Sequence, residues 1–156
     1  MVSAHFLDTS ALVKKYMTEK GSAWIEALTD PDSDRQIIIL ASVTWVETLS
    51  AFSRLHRENR VDPELLAQTV RLFKTEWASL YHIVDVEQSD IKTAGRLVQR
   101  HPLRAYDSIQ LACALKIYSA FSQTAPDAFS FVSADKQLLA AAQTEGLLVE
   151  NPNNHP

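Results

Sequence analysis

The sequence predicts an α/β fold in which helices cover both faces of a parallel sheet, and two observations support this prediction. Short apolar or β-branched runs alternate along the chain with longer segments whose apolar residues recur at helical spacing. The run Ile37-Ile38-Ile39-Leu40 has the composition of a strand that is buried on both faces. Strands that alternate with helices in this way favour a three-layer arrangement with the sheet in the middle.

Turn and capping residues divide the chain into individual elements. Strands are predicted at residues 2–7, 37–40, 82–86, 129–132 and 147–149. Helices are predicted at residues 10–17, 22–28, 42–56, 62 onward, 89–100, 107–118 and 135–144. Ser42 is the expected N-cap of the third helix, and Val46 is expected on its inward side. Residues 1–150 are predicted to form a single domain, and residues 151–156 a frayed C-terminal tail.

Composition excludes several classes of protein. The 156 residues carry a net charge of −4, which argues against a protein that holds nucleic acid by counterion release alone. The longest apolar stretch, Ile37 to Ala41, is too short to span a bilayer, and Asp8 interrupts any signal-peptide core, so the expected compartment is the cytoplasm. A single cysteine, Cys113, excludes an internal disulfide and a multi-cysteine zinc site. The five histidines show no spacing typical of metal ligands.

Four acidic residues stand at the edges of apolar or helix-forming segments: Asp8, Glu47, Asp107 and Asp135. Carboxylates in poorly solvated positions need a positive partner, and no run of Lys or Arg accompanies them in the sequence. Asp8 follows the first strand and Asp135 the fourth, at the edge of the sheet where parallel α/β proteins place their sites. Mg²⁺ and Mn²⁺ prefer oxygen ligands. The pattern therefore predicts a metal-dependent enzyme.

Each acid also has a structural explanation. Asp107, with Gln110 three residues later, resembles a capping box, and Asp135 is placed to cap the helix that follows it. Asp8 can cap the turn into the first helix. Glu47 lies at the rim of an apolar helical stripe, which is harder to explain as an ordinary surface position.

Hydroxyl and basic side chains accompany the acids. Ser10 and Ser133 are placed to assist by hydrogen bonding to a carboxylate or a water, although a helix cap explains them equally well. Four basic residues lie between residues 92 and 104 and are candidates for contacting an RNA backbone, with a solvated helix face as the alternative: Lys92, Arg96, Arg100 and Arg104.

At these motifs the chain resembles the PIN-domain nucleases, and within them the VapC-like toxins of toxin–antitoxin pairs. The resemblance is carried by FLDTSALV at residues 6–13, by Glu47, by RAYDS at 104–108 and by FVSAD at 131–135. It implies a three-layer α/β/α PIN-like domain with a five-stranded parallel sheet in the order 3-2-1-4-5. It also implies RNA cleavage that depends on Mg²⁺ or Mn²⁺, a homodimer, and a cognate antitoxin that covers the acidic pocket. The implied metal ligands are Asp8, Glu47, Asp107 and Asp135, with Ser10 and Ser133 assisting.

Other classes remain as alternatives. A PIN-like nuclease without an antitoxin, or a PIN-like scaffold that binds partners without catalysis, would share much of this sequence pattern. Haloacid-dehalogenase-like phosphatases also begin with a strand that ends in Asp, but they require a second Asp two residues later. Ser10 occupies that position here, which argues against a phosphatase of this class.

Overall fold

The structure, a computed structural model, describes residues 2–156. Its sheet contains β1 (Ser3–Leu7), β2 (Gln36–Ala41), β3 (His82–Val84), β4 (Phe129–Val132) and β5 (Val149–Glu150). All neighbouring strands pair in parallel, in the order β3-β2-β1-β4-β5. The predicted parallel α/β fold and its strand order are therefore confirmed.

The helices occur in the predicted sequence order, with some boundaries shifted. They are α1 (Thr9–Tyr16), α2 (Ser22–Leu28), α3 (Thr44–Arg57), α4 (Pro63–Ser79), α5 (Gln88–Arg100), α6 (Ala105–Phe121) and α7 (Lys136–Thr144). Two short 3-10 helices lie at Pro126–Ala128 and Pro152–Asn154. Within residues 2–156, none of the helices combines the length and the apolar character needed to cross a membrane.

The hydrophobic core forms two layers, one on each face of the sheet. Successive residues of a strand point to opposite faces, so Phe6 and Leu7 of β1 enter different layers. Phe6 packs in the layer that α5, α6 and α7 cover, where its ring stacks against Phe131 of β4. Leu7 packs with residues of α1, α2, α3 and α4 in the second layer. The result is the three-layer arrangement expected from the alternating elements.

The order of the strands reverses at β1, and this places a crevice at the carboxyl ends of β1 and β4. The chain runs from β1 to β2 and β3 on one side, whereas β4 and β5 lie on the other. The backbone N–H of Asp8, just after β1, donates to the carbonyl of Val132 at the end of β4 (3.1 Å). Both strands therefore end side by side, which is where open parallel sheets bind ligands.

The start of α3 differs from the prediction in two respects. Val43 rather than Ser42 is the N-cap residue, because the Ser42 hydroxyl accepts the backbone N–H of Val86 (3.2 Å) and so ties β2 to the segment after β3. Val46 was predicted to face the core, but its side chain is 56% exposed. It lines the same cavity as its neighbour Glu47, which explains its exposure.

The prediction of a frayed tail at residues 151–156 is wrong. The Asn151 side chain accepts the backbone N–H of Asn153 (2.9 Å) and starts the 3-10 helix, and Pro152 is buried. The His155 ring stacks on Trp24 of α2, with 4.5 Å between ring centroids. Termini fray only when nothing holds them, and here α2 supplies a packing surface.

Candidate active site

Asp8 is buried at the junction of β1 and α1, and both of its carboxylate oxygens accept hydrogen bonds. Oδ1 accepts from the Ser10 hydroxyl (2.7 Å) and from the backbone N–H of Ala11 (3.0 Å). Oδ2 accepts from the Ser133 hydroxyl (2.7 Å). The residue is 3% exposed. Asp8 therefore caps α1, as its structural explanation predicted, and it also lines the cavity described below.

The environment of Asp8 makes its ionised form costly. Burial raises the pKa of this carboxyl from 3.8 to about 6, against the opposing effect of the hydrogen bonds from Ser133, Ser10 and Ala11. The negative charge of Asp107 contributes a further, smaller rise in the pKa. A cation close to Asp8 would offset this cost, because it favours the ionised carboxylate.

Glu47 is held by polar side chains from two other helices. Its Oε1 accepts from the Thr9 hydroxyl (3.1 Å) and from the Gln110 side-chain amide (2.9 Å). Burial raises the pKa of Glu47, these two hydrogen bonds lower it, and the charge of Asp107 adds to the rise. Glu47 thus has the same combination of burial and a neighbouring carboxylate as Asp8.

Gln110 joins the site, a role that sequence reasoning missed. It is 1% exposed and, besides Glu47, its amide nitrogen donates to the Thr44 hydroxyl (2.8 Å). The predicted capping box between Asp107 and Gln110 is not formed, because α6 begins at Ala105 and Gln110 points to Glu47 instead. The available signal was one amide inside the apolar run Ile109 to Leu115, where an unpaired polar group would be costly.

Asp107 and Asp135 lie on either side of the Arg104 guanidinium. Arg104 Nε donates to Asp107 Oδ2 (3.1 Å), and Arg104 Nη2 lies 3.7 Å from Asp135 Oδ2. Asp135 also caps α7, accepting from the backbone N–H groups of Gln137 and Leu138. The Arg104 side chain is 83% exposed, so it can leave the two carboxylates without unpacking the core.

Ser10 and Ser133 connect the ends of β1 and β4. Their hydroxyl oxygens lie 3.3 Å apart, and each donates to a different oxygen of Asp8. Ser10 also accepts the backbone N–H of Ala134, and Ser133 accepts that of Asp135. The two serines therefore fix the orientation of the Asp8 carboxylate relative to the segment that carries Asp135.

The structure separates the four basic candidates. Arg104 lines the same cavity as the acids, whereas Lys92, Arg96 and Arg100 do not. Arg100 instead pairs with Glu145 just after α7 (2.7 Å). Lys92, Arg96 and Arg100 do lie on one helix, α5, as their spacing predicted. The spacing did not indicate which side of that helix faces the acids.

Asp8, Glu47, Asp107 and Asp135 line one cavity of about 990 Å³, which we call the acidic cleft. Its oxygen donors are carboxylates and hydroxyls, the donor set that suits Mg²⁺ or Mn²⁺. Nevertheless, no group of three or more His, Cys, Asp or Glu within residues 2–156 is already arranged to hold a metal ion. The Arg104 guanidinium lies between Asp107 and Asp135, so these two carboxylates converge on a positively charged side chain of the protein itself.

Comparison with known proteins gives consistent matches. The PIN domain family matches residues 5–143. The ribonucleases VapC45 and VapC49 from two Mycobacterium tuberculosis strains are each 29% identical to this chain over 112 residues, covering 72% of this chain and 75% of each relative.

Solved structures share the fold at low sequence identity. FitAcB from Neisseria gonorrhoeae superposes with a TM-score of 0.64 at 15% identity, covering 95% of this chain and 97% of that chain. VapBC2 from Rickettsia felis, bound to a promoter DNA fragment, gives a TM-score of 0.61 at 14% identity, and the match covers 95% of this chain and 98% of that chain. VapC20 from Mycobacterium tuberculosis, a toxin that cleaves the sarcin-ricin loop, gives a TM-score of 0.59 at 12% identity, and the match covers 92% of this chain and 96% of that chain. Because the family match spans most of the sequence, this chain belongs to the PIN-domain family.

Proposed function

We propose that this chain is an endoribonuclease that depends on Mg²⁺ or Mn²⁺ and acts as the toxin of a toxin–antitoxin pair. The observation that carries the proposal is that Asp8, Glu47, Asp107 and Asp135 line one cleft at the carboxyl ends of β1 and β4. The names of the VapC45 and VapC49 ribonucleases support RNA as the substrate.

The four acids are the residues that would hold the metal, with Asp8 oriented by Ser10 and Ser133. When bound, a divalent cation lowers the pKa of a water molecule and offsets negative charge on the phosphodiester. In the hydrolysis, the water gives up a proton as its oxygen bonds to phosphorus, the bond from phosphorus to the leaving oxygen breaks, and the leaving oxygen takes up a proton. Carboxylates from different elements suit this role because they could surround the cation from several sides.

Residues around the acids position and balance them. Thr9 and Gln110 hold the Glu47 carboxylate in one orientation. Arg104 neutralises Asp107 and Asp135 in the metal-free protein, and its exposed guanidinium is suited to bind a phosphate once a metal takes over that role. This exchange would bring a positive charge to the RNA backbone at the mouth of the cleft.

We also propose a cognate antitoxin, a homodimeric toxin and a cytoplasmic location. Two of the structural relatives are a toxin–antitoxin complex from Klebsiella pneumoniae and VapBC-5 from Mycobacterium tuberculosis, with TM-scores of 0.59 and 0.51. A concave site lined by carboxylates carries a negative potential that attracts a cationic side chain from a partner. An antitoxin that covers the acidic cleft would block both metal and RNA.

The test is a cleavage assay on small structured RNAs with Mn²⁺, with Mn²⁺ plus EDTA, and with Mg²⁺ added in excess after EDTA. We expect cleavage that EDTA abolishes and the added metal restores, and we expect Asp107→Asn to be inactive. Asp127→Asn, an exposed acid outside the cleft, is the matched control and should cleave as the wild type does. Full cleavage in excess EDTA would overturn the metal mechanism, and RNA binding without cleavage would indicate a non-catalytic binding module.

A further inference from the structure

The acidic cleft extends beyond the four acids, along one face of α3. Residues Glu47, Ser50, Ala51 and Arg54 all line it, and their spacing places them on one side of the helix. Arg54 is seven positions after Glu47, which corresponds to a distance of about 10 Å along the helix axis. We call the part of the cleft beyond Glu47 the far arm; it is lined by Ser50, Ala51, Arg54, Leu55, Arg60, Val61 and Leu65.

Two of the cations that line the cleft are already engaged with protein groups. Lys14 is buried, pairs with Glu19 (3.2 Å) and donates to the carbonyl of Lys20 (2.8 Å). Arg104 is paired with Asp107 and Asp135, as described above. The Lys14 ammonium and the Arg104 guanidinium would each have to leave these partners before binding a ligand.

The other two cations lie in the far arm and are available. Arg60 approaches Glu58 only at 3.9 Å, and both side chains are exposed, so that contact is weak. The Arg54 side chain makes no ion pair or hydrogen bond with any residue between 2 and 156, and it is exposed. The far arm therefore presents two guanidinium groups to whatever enters it.

Apolar side chains border the same cleft in an unusually exposed state. Val46, Leu65 and Tyr106 all line it, and each exposes about half of its surface. A single-stranded nucleic acid needs both kinds of surface, because its phosphates bind cations while its unstacked bases pack on aromatic and apolar side chains. The combination of free guanidinium groups and exposed apolar walls matches that requirement.

We propose that the far arm is an RNA subsite in which Arg54, with Arg60, binds a phosphate flanking the one cleaved at the acids. The inference rests on the proposed ribonuclease function and adds to it the direction in which the RNA strand lies in the cleft. An acidic chain with a net charge of −4 repels a polyanion overall, so local cations must hold the strand. Arg54 and Arg60 are the cleft cations that can do so without leaving an acidic partner inside the cleft.

The test compares Arg54→Gln with Arg57→Gln in an Asp8→Asn background, which is expected not to cleave RNA. Both arginines lie in the last turn of α3 and are exposed, but Arg57 does not line the cleft. Binding of a fluorescein-labelled, mixed-sequence, single-stranded 12-nucleotide RNA is measured by anisotropy at several salt concentrations. Equal melting temperatures of the two variants would show that the change at Arg54 does not act through the stability of α3.

We expect Arg54→Gln to weaken RNA binding about tenfold and to reduce the slope of log Kd against log salt by about 0.7, as loss of one phosphate contact predicts. Arg57→Gln should leave both quantities near those of the parent, and Arg54→Lys should retain the slope. Equal effects of the two Gln variants would overturn the subsite. If Arg54→Gln in the otherwise native chain still cleaves RNA in a chelator-sensitive way, the ribonuclease function survives that failure.

Discussion

Replacing Asp8 by Asn should stabilise the metal-free protein while abolishing RNA cleavage. The side chain keeps its shape: the amide oxygen can still accept from Ser10 and Ala11, and the amide nitrogen can donate to the Ser133 oxygen. The Ser133 hydroxyl proton can then turn towards the Ser10 oxygen, which lies 3.3 Å away. Asn is also about as good an N-cap as Asp, so α1 keeps its cap.

The magnitude follows from the pKa of Asp8, which burial raises from 3.8 to about 6. Because the folded-state pKa lies above the ordinary one, ionisation of Asp8 favours the unfolded chain. This cost is absent below pH 3.8, grows as the pH rises to about 6, and is constant above that. At its full value it amounts to about 3 kcal/mol. For a chain of this size, removing it should raise the melting temperature by roughly 6–12 °C at pH 8.

The assay is thermal unfolding followed by circular dichroism in EDTA, for the wild type and Asp8→Asn, from pH 4 to pH 8. The difference in melting temperature should be largest at pH 8 and should shrink towards pH 4. Asp62→Asn is the matched control, because Asp62 caps α4 through the backbone N–H of Leu65 but is exposed. This control should change the melting temperature little at any pH.

Two outcomes would refute this reasoning. If Asp8→Asn melts several degrees below the wild type at pH 8, the carboxylate is needed as a structural cap and its burial is not a cost. If the variant is more stable by the same amount at every pH, the stabilisation does not come from removing the ionisation of Asp8. Retained RNA cleavage in Asp8→Asn would separately contradict its proposed role as a metal ligand.

Two further predictions concern the surroundings of the acids. Gln110→Leu removes the amide that orients Glu47, so the RNA cleavage rate should fall by about 10–100-fold with little change in melting temperature. The control is Gln99→Leu on the exposed side of α5, which should cleave RNA at the wild-type rate in the same assay. An antitoxin C-terminal peptide should insert an Arg or Lys beside Asp8 and Asp107, and its affinity should fall with salt without vanishing. Calorimetric titration checks this: equally tight binding to a variant with both Asp8→Ala and Asp107→Ala would place the contact elsewhere.

The strand pattern was readable from the sequence because it depends on local composition. The run from Ile37 to Leu40 and the position of Asp8 after an apolar segment identify β2 and the carboxyl end of β1 without tertiary information. The strand order came from the resemblance to PIN domains, since local patterns do not say which strands pair. The structure confirms both.

The features that the sequence did not reveal depend on contacts between distant residues. Gln110 resembled a capping partner of Asp107, and only the three-dimensional structure shows that its side-chain amide reaches Glu47 of α3. The C-terminal residues resembled an unrestrained tail, because the ring of Trp24 that covers His155 belongs to a distant helix. Helical spacing on α5 likewise could not show that the Arg100 side chain turns towards Glu145.

The central claim is that the four carboxylates of the acidic cleft hold the divalent cation on which RNA cleavage depends. Calorimetric titration of Mn²⁺ into the RNA-free protein tests this claim most directly. We expect one set of sites whose half-saturation agrees with the Mn²⁺ concentration that half-activates RNA cleavage, and we expect Asp8→Asn to lose this binding. Asp127→Asn, the exposed control, should bind Mn²⁺ as the wild type does. Equal Mn²⁺ binding by Asp8→Asn and the wild type would contradict the account.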